Sequence, residues 1–510
     1  MRGKKLLALA AAAVTALSAG LFAPACSTQT GGLLEENIID DKYDNYYEIF
    51  VYSFNDSDGD GIGDLNGVTQ KLDYIRDMGY TGIWLMPIHK SPSYHKYDVT
   101  DYRTVDEQYG TIEDYQNLVS AAHERGIKVI IDLVLNHTST RNSWFLQAVS
   151  AVTNGTESQY SDWYNFVDTP TQGYAQWGGT DVYYEARFDS GMPDLNLDNP
   201  EVREELSSVM EFWLNMGTDG FRLDACTSYY TDSMSKSIAF CDWVKKEAVS
   251  YNPDAYIVGE VWSDIGTISS YYSGSDTDSF FCFPASQASG YVNQTLLSFT
   301  PADYFWNSVK NVANSAGDGI AAPFLGNHDT GRIAGTLWRR AERIKFAYGL
   351  LSMYSGNTFT YYGDEIGMVG SANDPDKRIG MLWDNDRTNI TDPPPGSTTQ
   401  EYEFDGVAEQ LADENSILNY YKKCNNARNA FPALMRGQAQ RVDYSDEYIL
   451  AFTKTYGDET ITVVINFAEE QKTVSGIAGD LAQTLCVEGE ITQQSGQLTM
   501  PLYSIAILKN

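Results

Sequence analysis

K-V-I-I-D-L-V-L-N-H, residues 128–137, decides the fold. Its apolar positions do not keep to alternate places. A strand with one wet face alternates, whereas a strand buried on both faces, as in a parallel sheet, reads as a nearly continuous apolar run. Upstream lies I-E-D-Y-Q-N-L-V-S-A-A-H-E-R-G, residues 112–126, an amphipathic stretch closed by Gly126. A glycine just past a helix accepts the left-handed backbone that ends it. Helix, buried strand and a polar pair at the strand's C-terminal end together make one βα unit.

The unit recurs. Short apolar runs at 47–52, 82–87, 219–224, 255–260, 278–283, 322–327 and 357–362 read as further strands, with helical patterns between them. One such pattern, D-L-N-G-V-T-Q-K-L-D-Y-I-R-D-M-G, places Leu65, Val68, Leu72, Ile75 and Met78 on one face and stops at Gly79. With the run at 128–135 the strands fill an α/β fold, a (β/α)8 TIM barrel. Residues 43–136 give its first part and 200–437 its second. Between them, 137–199 is rich in Trp, Tyr, Gly and Asp with little helical period, and reads as an inserted domain after strand 3. After 437 the pattern becomes hairpin-like, with Y-I-L-A-F-T-K-T-Y and E-T-I-T-V-V-I-N-F flanking Gly457-Asp458. Residues 438–510 therefore read as a C-terminal antiparallel β-sandwich domain.

The N-terminus reads as a targeting segment. Arg2, Lys4 and Lys5 precede an apolar run from Leu6 to about Phe22, and A-P-A-C closes at Cys26. Residues 1–25 are expected to be a signal peptide, with Cys26 lipidated and 26–42 a polar tether, as in a bacterial cell-surface lipoprotein. Simple secretion with a free Cys26 is the alternative. On the first reading a lipid anchor is the only contact with a membrane. The net charge of −34 over 510 residues argues against a nucleic-acid partner. Aromatic content of 13% supplies flat faces with polar tips that suit sugar rings. Cys226, Cys241, Cys282, Cys424 and Cys486 are too sparse for a disulfide framework and read as buried apolar residues.

Catalytic residues of such a barrel sit at the C-terminal ends of its strands. Strand 3 ends with Asp132, Asn136 and His137, strand 4 with Arg222 and Asp224, strand 5 with Glu260, and strand 7 with His328 and Asp329. Carboxylates at three separate strand ends suit retaining glycoside cleavage, in which one attacks the anomeric carbon and another protonates the leaving oxygen. Arg222 and Asp224, two residues apart on a strand, face the same side, so the arginine keeps Asp224 ionised. Glu260, between Gly259 and the apolar Val261-Trp262, reads as an acid in a less charged, partly desolvated setting. Asp329 is placed to bond sugar hydroxyls as charge develops.

The segments D-L-V-L-N-H, G-F-R-L-D-A, G-E-V-W and F-L-G-N-H-D, in this order, resemble the conserved regions of the α-amylase family, glycoside hydrolase family thirteen. M-P-D-L-N at 192–196, G-N-T-F-T-Y-Y-G-D-E at 356–365 and H-K-Y-D-V-T-D-Y at 95–102 extend the likeness over nearly the whole mature chain. The resemblance implies Asp224 as nucleophile, Glu260 as acid/base and Asp329 as transition-state stabiliser. It implies Tyr97, His137, Arg222 and His328 as contacts to the sugar at the cleaved position, and suggests Trp383 as a further aromatic wall, with domain packing as its other reading. M-P-D-L-N mixes features of the oligo-1,6-glucosidase and neopullulanase branches. Many endo-acting relatives carry Lys-His where this chain has Thr227-Ser228, and α-1,6-specific relatives carry Val where it has Ala225. The expected substrate is an α-glucan cut at α-1,4 bonds. The alternatives are an α-1,6-glucosidase or neopullulanase, a 4-α-glucanotransferase and, from another class, a non-catalytic glucan-binding protein.

D-S-D-G-D-G-I-G-D, residues 56–64, follows the first strand and begins like an EF-hand loop, yet its twelfth position is Gly67 rather than the required Glu. The resemblance implies a calcium loop using Asp56, Asp58, Asp60, the Ile62 carbonyl and Asp64, with Mg²⁺ also possible. So many carboxylates in one short loop repel without a cation. The family also suggests a second site through Asn136 and Asp194.

Overall fold

The structure, a computed structural model, describes residues 32–370 and 373–510. The expected signal peptide and Cys26 lie outside the described residues.

Eight parallel strands form one closed sheet. They are β1 (Asn45–Ile49), β2 (Gly82–Leu85), β3 (Lys128–Leu133), β4 (Gly220–Leu223), β5 (Tyr256–Gly259), β6 (Ser279–Cys282), β7 (Ala322–Pro323) and β8 (Thr358–Tyr361). Neighbours follow chain order, β8 returns to β1, and a Phe324–Phe359 bridge closes the barrel. Alternate residues of each strand face inward. Tyr46, Trp84, Ile130, Tyr256, Phe281, Ala322 and Phe359 fill the interior as one cluster, with Tyr46 stacked on Tyr256 at 5.3 Å and on Phe359 at 4.8 Å. The outward residues pack beneath the surrounding helices in the main core.

This alternation positions the site. One inward step above the apolar plug stand Glu48 on β1, Asp132 on β3 and Arg222 on β4, with Asp132 and Arg222 directly paired in register. A further step brings Asp224 and Glu260 to the mouth.

Local differences from the sequence reading have identifiable causes. The first helical pattern forms two short helices, Leu65–Gln70 and Leu72–Asp77, because Lys71 leaves helical geometry. Gly79 then turns the chain at φ +83°. Residues 137–199 contain a twelve-residue helix, Ser143–Asn154, as well as a three-stranded sheet made of Phe166–Val167, Tyr183–Glu185 and Tyr174–Gln176. Its stripe of Phe145, Ala148, Val149 and Ala151 is buried, so the helical period is present but short among the aromatics. Residues 32–42 are docked rather than a free tether. The Leu34 amide donates to Asn426 Oδ1 at 2.6 Å, the Asn37 amide to the Asn429 carbonyl at 2.8 Å, and Asp41 pairs with Arg436 at 2.6 Å.

The C-terminal residues form two antiparallel sheets. The strands are β9 (Gln438–Val442), β10 (Ile449–Tyr456), β11 (Glu459–Asn466), β12 (Lys472–Ser475), β13 (Asp480–Cys486), β14 (Thr492–Gln494), β15 (Gln497–Met500) and β16 (Ser504–Lys509). They are ordered β9-β10-β11-β16-β13 and β12-β15-β14. Ile449, Val464 and Leu508 from the first sheet meet Val474, Leu498 and Met500 from the second, which makes a sandwich. Cys226, Cys241, Cys282 and Cys424 are buried thiols, and Cys486 is half-buried and also free. Among the described residues no helix is long and apolar enough to cross a membrane.

Candidate active site

Arg222 is the hub of the mouth. Its guanidinium is fully buried and lies 5.2 Å from the Trp84 ring centre. Nη1 donates to both oxygens of Asp132 at 2.9 and 3.0 Å and to Asp224 Oδ1 at 2.7 Å, and Nη2 donates to Glu260 Oε2 at 2.8 Å. Asp224 is therefore held by one oxygen. Glu260 is not in the less charged setting expected from its neighbours in sequence, since it shares the arginine with the other two carboxylates. The backbone amide of Ala225 adds a second bond to Glu260 Oε2 at 2.9 Å. Ala225 reaches this position in left-handed backbone at φ +48°, a conformation that costs a non-glycine residue about 1–3 kcal/mol and persists where surroundings enforce it. Burial raises the Glu260 carboxyl above its ordinary pKa, Arg222 opposes, and the charges of Asp224 and Asp329 reinforce the rise.

The opposite wall comes from β1, β7 and the loop after β2. His328 is fully buried. Its Nδ1 lies 2.5 Å from Glu48 Oε1, and its Nε2 lies 3.0 Å from Asp329 Oδ2 and 2.7 Å from the Tyr97 hydroxyl. Tyr97 in turn donates to Asp132 Oδ2 at 3.0 Å, which links the two walls. Burial works against a charged His328, but Asp329 and Glu48 outweigh it and push the pKa up to about 9. Burial likewise opposes an ionised Asp329, yet His328 and Arg378 hold its carboxyl well below the usual range. Arg378 reaches Asp329 Oδ1 at 3.1 Å, and the Lys377 ammonium donates to the Asp329 carbonyl at 2.6 Å.

His137 lies at the domain boundary, 98% buried, with its Nε2 unpartnered. Burial lowers its pKa. The ring centre of Phe188, half exposed on the inserted domain, stands 5.3 Å away. Trp262, 49% exposed and stacked on Phe283 at 4.8 Å, flanks Glu260 two residues on. Trp383 is not a wall of the site. It is buried against Phe54 and Tyr74, donates to the Phe54 carbonyl at 2.7 Å and lies beneath Lys71, so packing is its role.

The structure thus gathers Tyr97, Arg222, Asp224, Glu260, His328 and Asp329 into one bonded network, with His137 at its domain boundary. Sequence reasoning missed Glu48 and Arg378. Glu48 left a signal, an isolated carboxylate in the apolar run Y-E-I-F, whereas Arg378 sits in a loop with no distinguishing pattern.

In the loop after β1, carboxylate oxygens of Asp56, Asp58 and Asp64 lie within 4.8 Å of one another, a spread that oxygen ligands about 2.4 Å from a common cation allow. Asp60 is outside this cluster and turns Oδ1 to the Ile62 amide at 2.8 Å. Asp56 accepts from the Gly59 and Gly61 amides, and Asp64 accepts from Ser57 and from the Gly67 amide, which caps the following helix. At the suggested second site the Asn136 amide donates to Asp194 Oδ1 at 3.1 Å.

A closed parallel barrel with this cluster at its mouth defines a glycoside-cleaving barrel enzyme. The chain belongs to the alpha-amylase family: residues 48–437 match the alpha amylase catalytic domain. It is 39% identical to Alpha-amylase 3 of Dictyoglomus thermophilum over 84% of this chain and 85% of that protein. Neopullulanase 2 of Thermoactinomyces vulgaris is 30% identical over 86% of this chain and 69% of its own length. Among solved structures, Eubacterium rectale Amy13B superposes with a TM-score of 0.90 at 40% identity, covering 93% of this chain and 97% of that one.

Proposed function

We propose that this protein hydrolyses α-1,4 bonds of starch and maltooligosaccharides with retention, by double displacement. The carrying observation is the sharing of one arginine among Asp132, Asp224 and Glu260, the last two of which stand at the mouth. Arg222 holds Asp224 by Oδ1, which leaves Oδ2 to attack the anomeric carbon. Burial raises the Glu260 pKa, which favours the protonated form that donates to the glycosidic oxygen. Asp224 then carries the glycosyl unit as an ester. Glu260 takes a proton from water, and the resulting hydroxide releases the sugar with its original configuration. Asp329, held ionised, and His328 bond the sugar hydroxyls more strongly as the ring flattens toward the oxocarbenium ion. Tyr97 stacks on that ring, and the free Nε2 of His137 binds one of its hydroxyls.

Asp224→Asn is expected to lower reducing-end release from soluble starch on the order of 10⁴-fold, and retained activity would sink the mechanism. The likeness to Oligo-1,6-glucosidase of Parageobacillus thermoglucosidasius, 28% identical over 83% of this chain and 90% of that protein, supports a second reading, in which α-1,6 bonds dominate, with transfer to another sugar as its variant. A timed product profile decides between them. We expect maltoheptaose to be cut into linear maltooligosaccharides while isomaltose is spared. Preferential cleavage of isomaltose, or products longer than the substrate, would replace the first reading with the second.

The Asp56–Asp64 loop is proposed to hold a structural Ca²⁺, with Asp56, Asp58 and Asp64 as the core of the ligand set and Asp60 and the Ile62 carbonyl completing it. Cys26 is proposed to carry a lipid anchor, and mass spectrometry of detergent-extracted protein from its native host should find a diacyl-modified N-terminal cysteine.

A further inference from the structure

Glu48 is a buried carboxylate with no part in the chemistry proposed above. It sits on β1, 1% exposed, and its Oε1 lies 2.5 Å from His328 Nδ1. The other nitrogen of the same ring faces Asp329 Oδ2 at 3.0 Å. A neutral imidazole has one donor nitrogen and one acceptor nitrogen. With both carboxylates ionised, either neutral tautomer would press a lone pair against a carboxylate oxygen. Both nitrogens satisfy their neighbours only when both carry protons. The remaining contact is compatible, because Tyr97 donates its own proton to Asp132 and so accepts from Nε2–H.

We propose that Glu48 is a positioning residue: by binding the Nδ1 proton of His328 it keeps that ring an imidazolium whose Nε2–H is aimed at Asp329 and the reaction centre. The inference rests on the hydrolase reading for its consequence in turnover, but not for the protonation state itself. The surroundings agree on every side. From β1 the ring meets Glu48, and from its own loop Asp329. From the loop after β2 it meets the Tyr97 hydroxyl, with Asp132 of β3 and Arg222 of β4 beyond it. From β2 it meets only the uncharged edge of Trp84, ring centres 5.6 Å apart. Arg378 approaches the His328 carbonyl at 3.3 Å rather than the ring. Among the described residues two carboxylates touch the ring directly and no cation does, in keeping with its raised pKa. Without the Glu48 charge the ring would become neutral at a lower pH. Asp329 would then lose its charged partner on one side and keep only Arg378.

The chain has five histidines, so each ring is resolvable by nitrogen–proton correlation spectra, with His328 assigned by the signal lost in His328→Asn. The titration is run on Asp224→Asn protein, so it does not depend on turnover. In that parent His328 should keep an imidazolium signature through neutral pH and titrate near pH 9. Glu48→Gln, which keeps the acceptor and removes the charge, should lower that midpoint by about two units. In otherwise native protein it should cut kcat about tenfold at slightly alkaline pH, more than it raises KM. Glu48→Asp should restore part of both. A His328 midpoint unchanged by Glu48→Gln would overturn the proposal, as would a neutral His328 in the parent at pH 7. The second result remains decisive if the glutamine variant fails to fold. Persisting turnover in Asp224→Asn with the His328 titration intact would instead overturn the proposed double-displacement mechanism and leave this inference standing.

Discussion

At the residue scale, the charges at the mouth couple activity to stability. His328 has its pKa raised to about 9 in the folded protein, against about 6.5 when unfolded. A raised group of this kind contributes stability that is fully present below pH 6.5 and is lost as pH rises through 9. The 2.5-unit difference corresponds to about 3 kcal/mol, and the group is fully buried, so solvent screening takes little from it. Urea unfolding at pH 6.5 and 9.5 should therefore show a larger loss for the native protein than for His328→Asn, by about 2–3 kcal/mol. Equal losses would mean that His328 is not charged in the fold. Asp329 runs the other way. Its lowered pKa contributes stability above the ordinary carboxylate range, lost only as pH falls through its depressed folded value. The mouth is thus held by opposite charges across neutral pH, the range in which the proposed mechanism would need Asp329 ionised and Glu260 protonated.

At the scale of the element, the strand that carries Arg222 and Asp224 depends on its first residue. A Cβ on Gly220 would stand 1.8 Å from the Tyr256 carbonyl oxygen on β5. Backbone cannot yield as a side-chain tip does, so Gly220→Ala must part β4 from β5 and shift Arg222 against its three carboxylates. We expect at least ~3 kcal/mol of destabilisation together with a loss of kcat, read from melting and steady-state assays. Native values of both would show that the strands tolerate the insertion. The loop after β1 predicts a contrasting pattern. Cation removal by chelation should lower the melting temperature by several degrees while kcat, measured well below the new midpoint, changes little, because the Asp56 cluster is fixed to its own turn and to the following helix. An unchanged melting temperature would withdraw the metal. The eight strands were legible because a strand buried on both faces writes its burial into consecutive residues. The carboxylates that meet at the mouth were legible because each ends such a run. Glu48 and Arg378 were not, because their meaning lies in partners 280 and 49 residues away. The helix Ser143–Asn154 was hidden among aromatics whose burial follows tertiary contacts rather than local period, and Trp383 pointed to sugar only until its packing partners were visible.

At the scale of the whole molecule, the sandwich and the barrel share a core. Phe452 of β10 lies 5.9 Å from Trp306, and Tyr503 stacks on Phe346 at 4.9 Å, ring centre to ring centre. Phe467 meets Phe305 at 5.9 Å and Phe346 at 5.7 Å. Phe452, Val463, Ile505 and Ile507 belong to the same continuous cluster as the barrel's outer shell. Polar groups cross the boundary as well. Buried Lys345 donates to the Val487 carbonyl at 2.9 Å, and buried Lys454 donates to the carbonyl of Leu434. Removing the sandwich would expose Phe305, Trp306 and Phe346 on the barrel, at about 1.5–3 kcal/mol for each large side chain. That sum is comparable with the whole stability of a typical domain. The two units should therefore unfold together. Calorimetry is expected to give one transition, and Trp306→Ala, which empties the boundary without touching the mouth, should move that transition down as a whole by the equivalent of about 3 kcal/mol. Loss of activity on an α-glucan on heating should follow the same curve. A small early transition, with hydrolysis surviving it, would mean that the sandwich melts alone and that the shared cluster is not a single cooperative core.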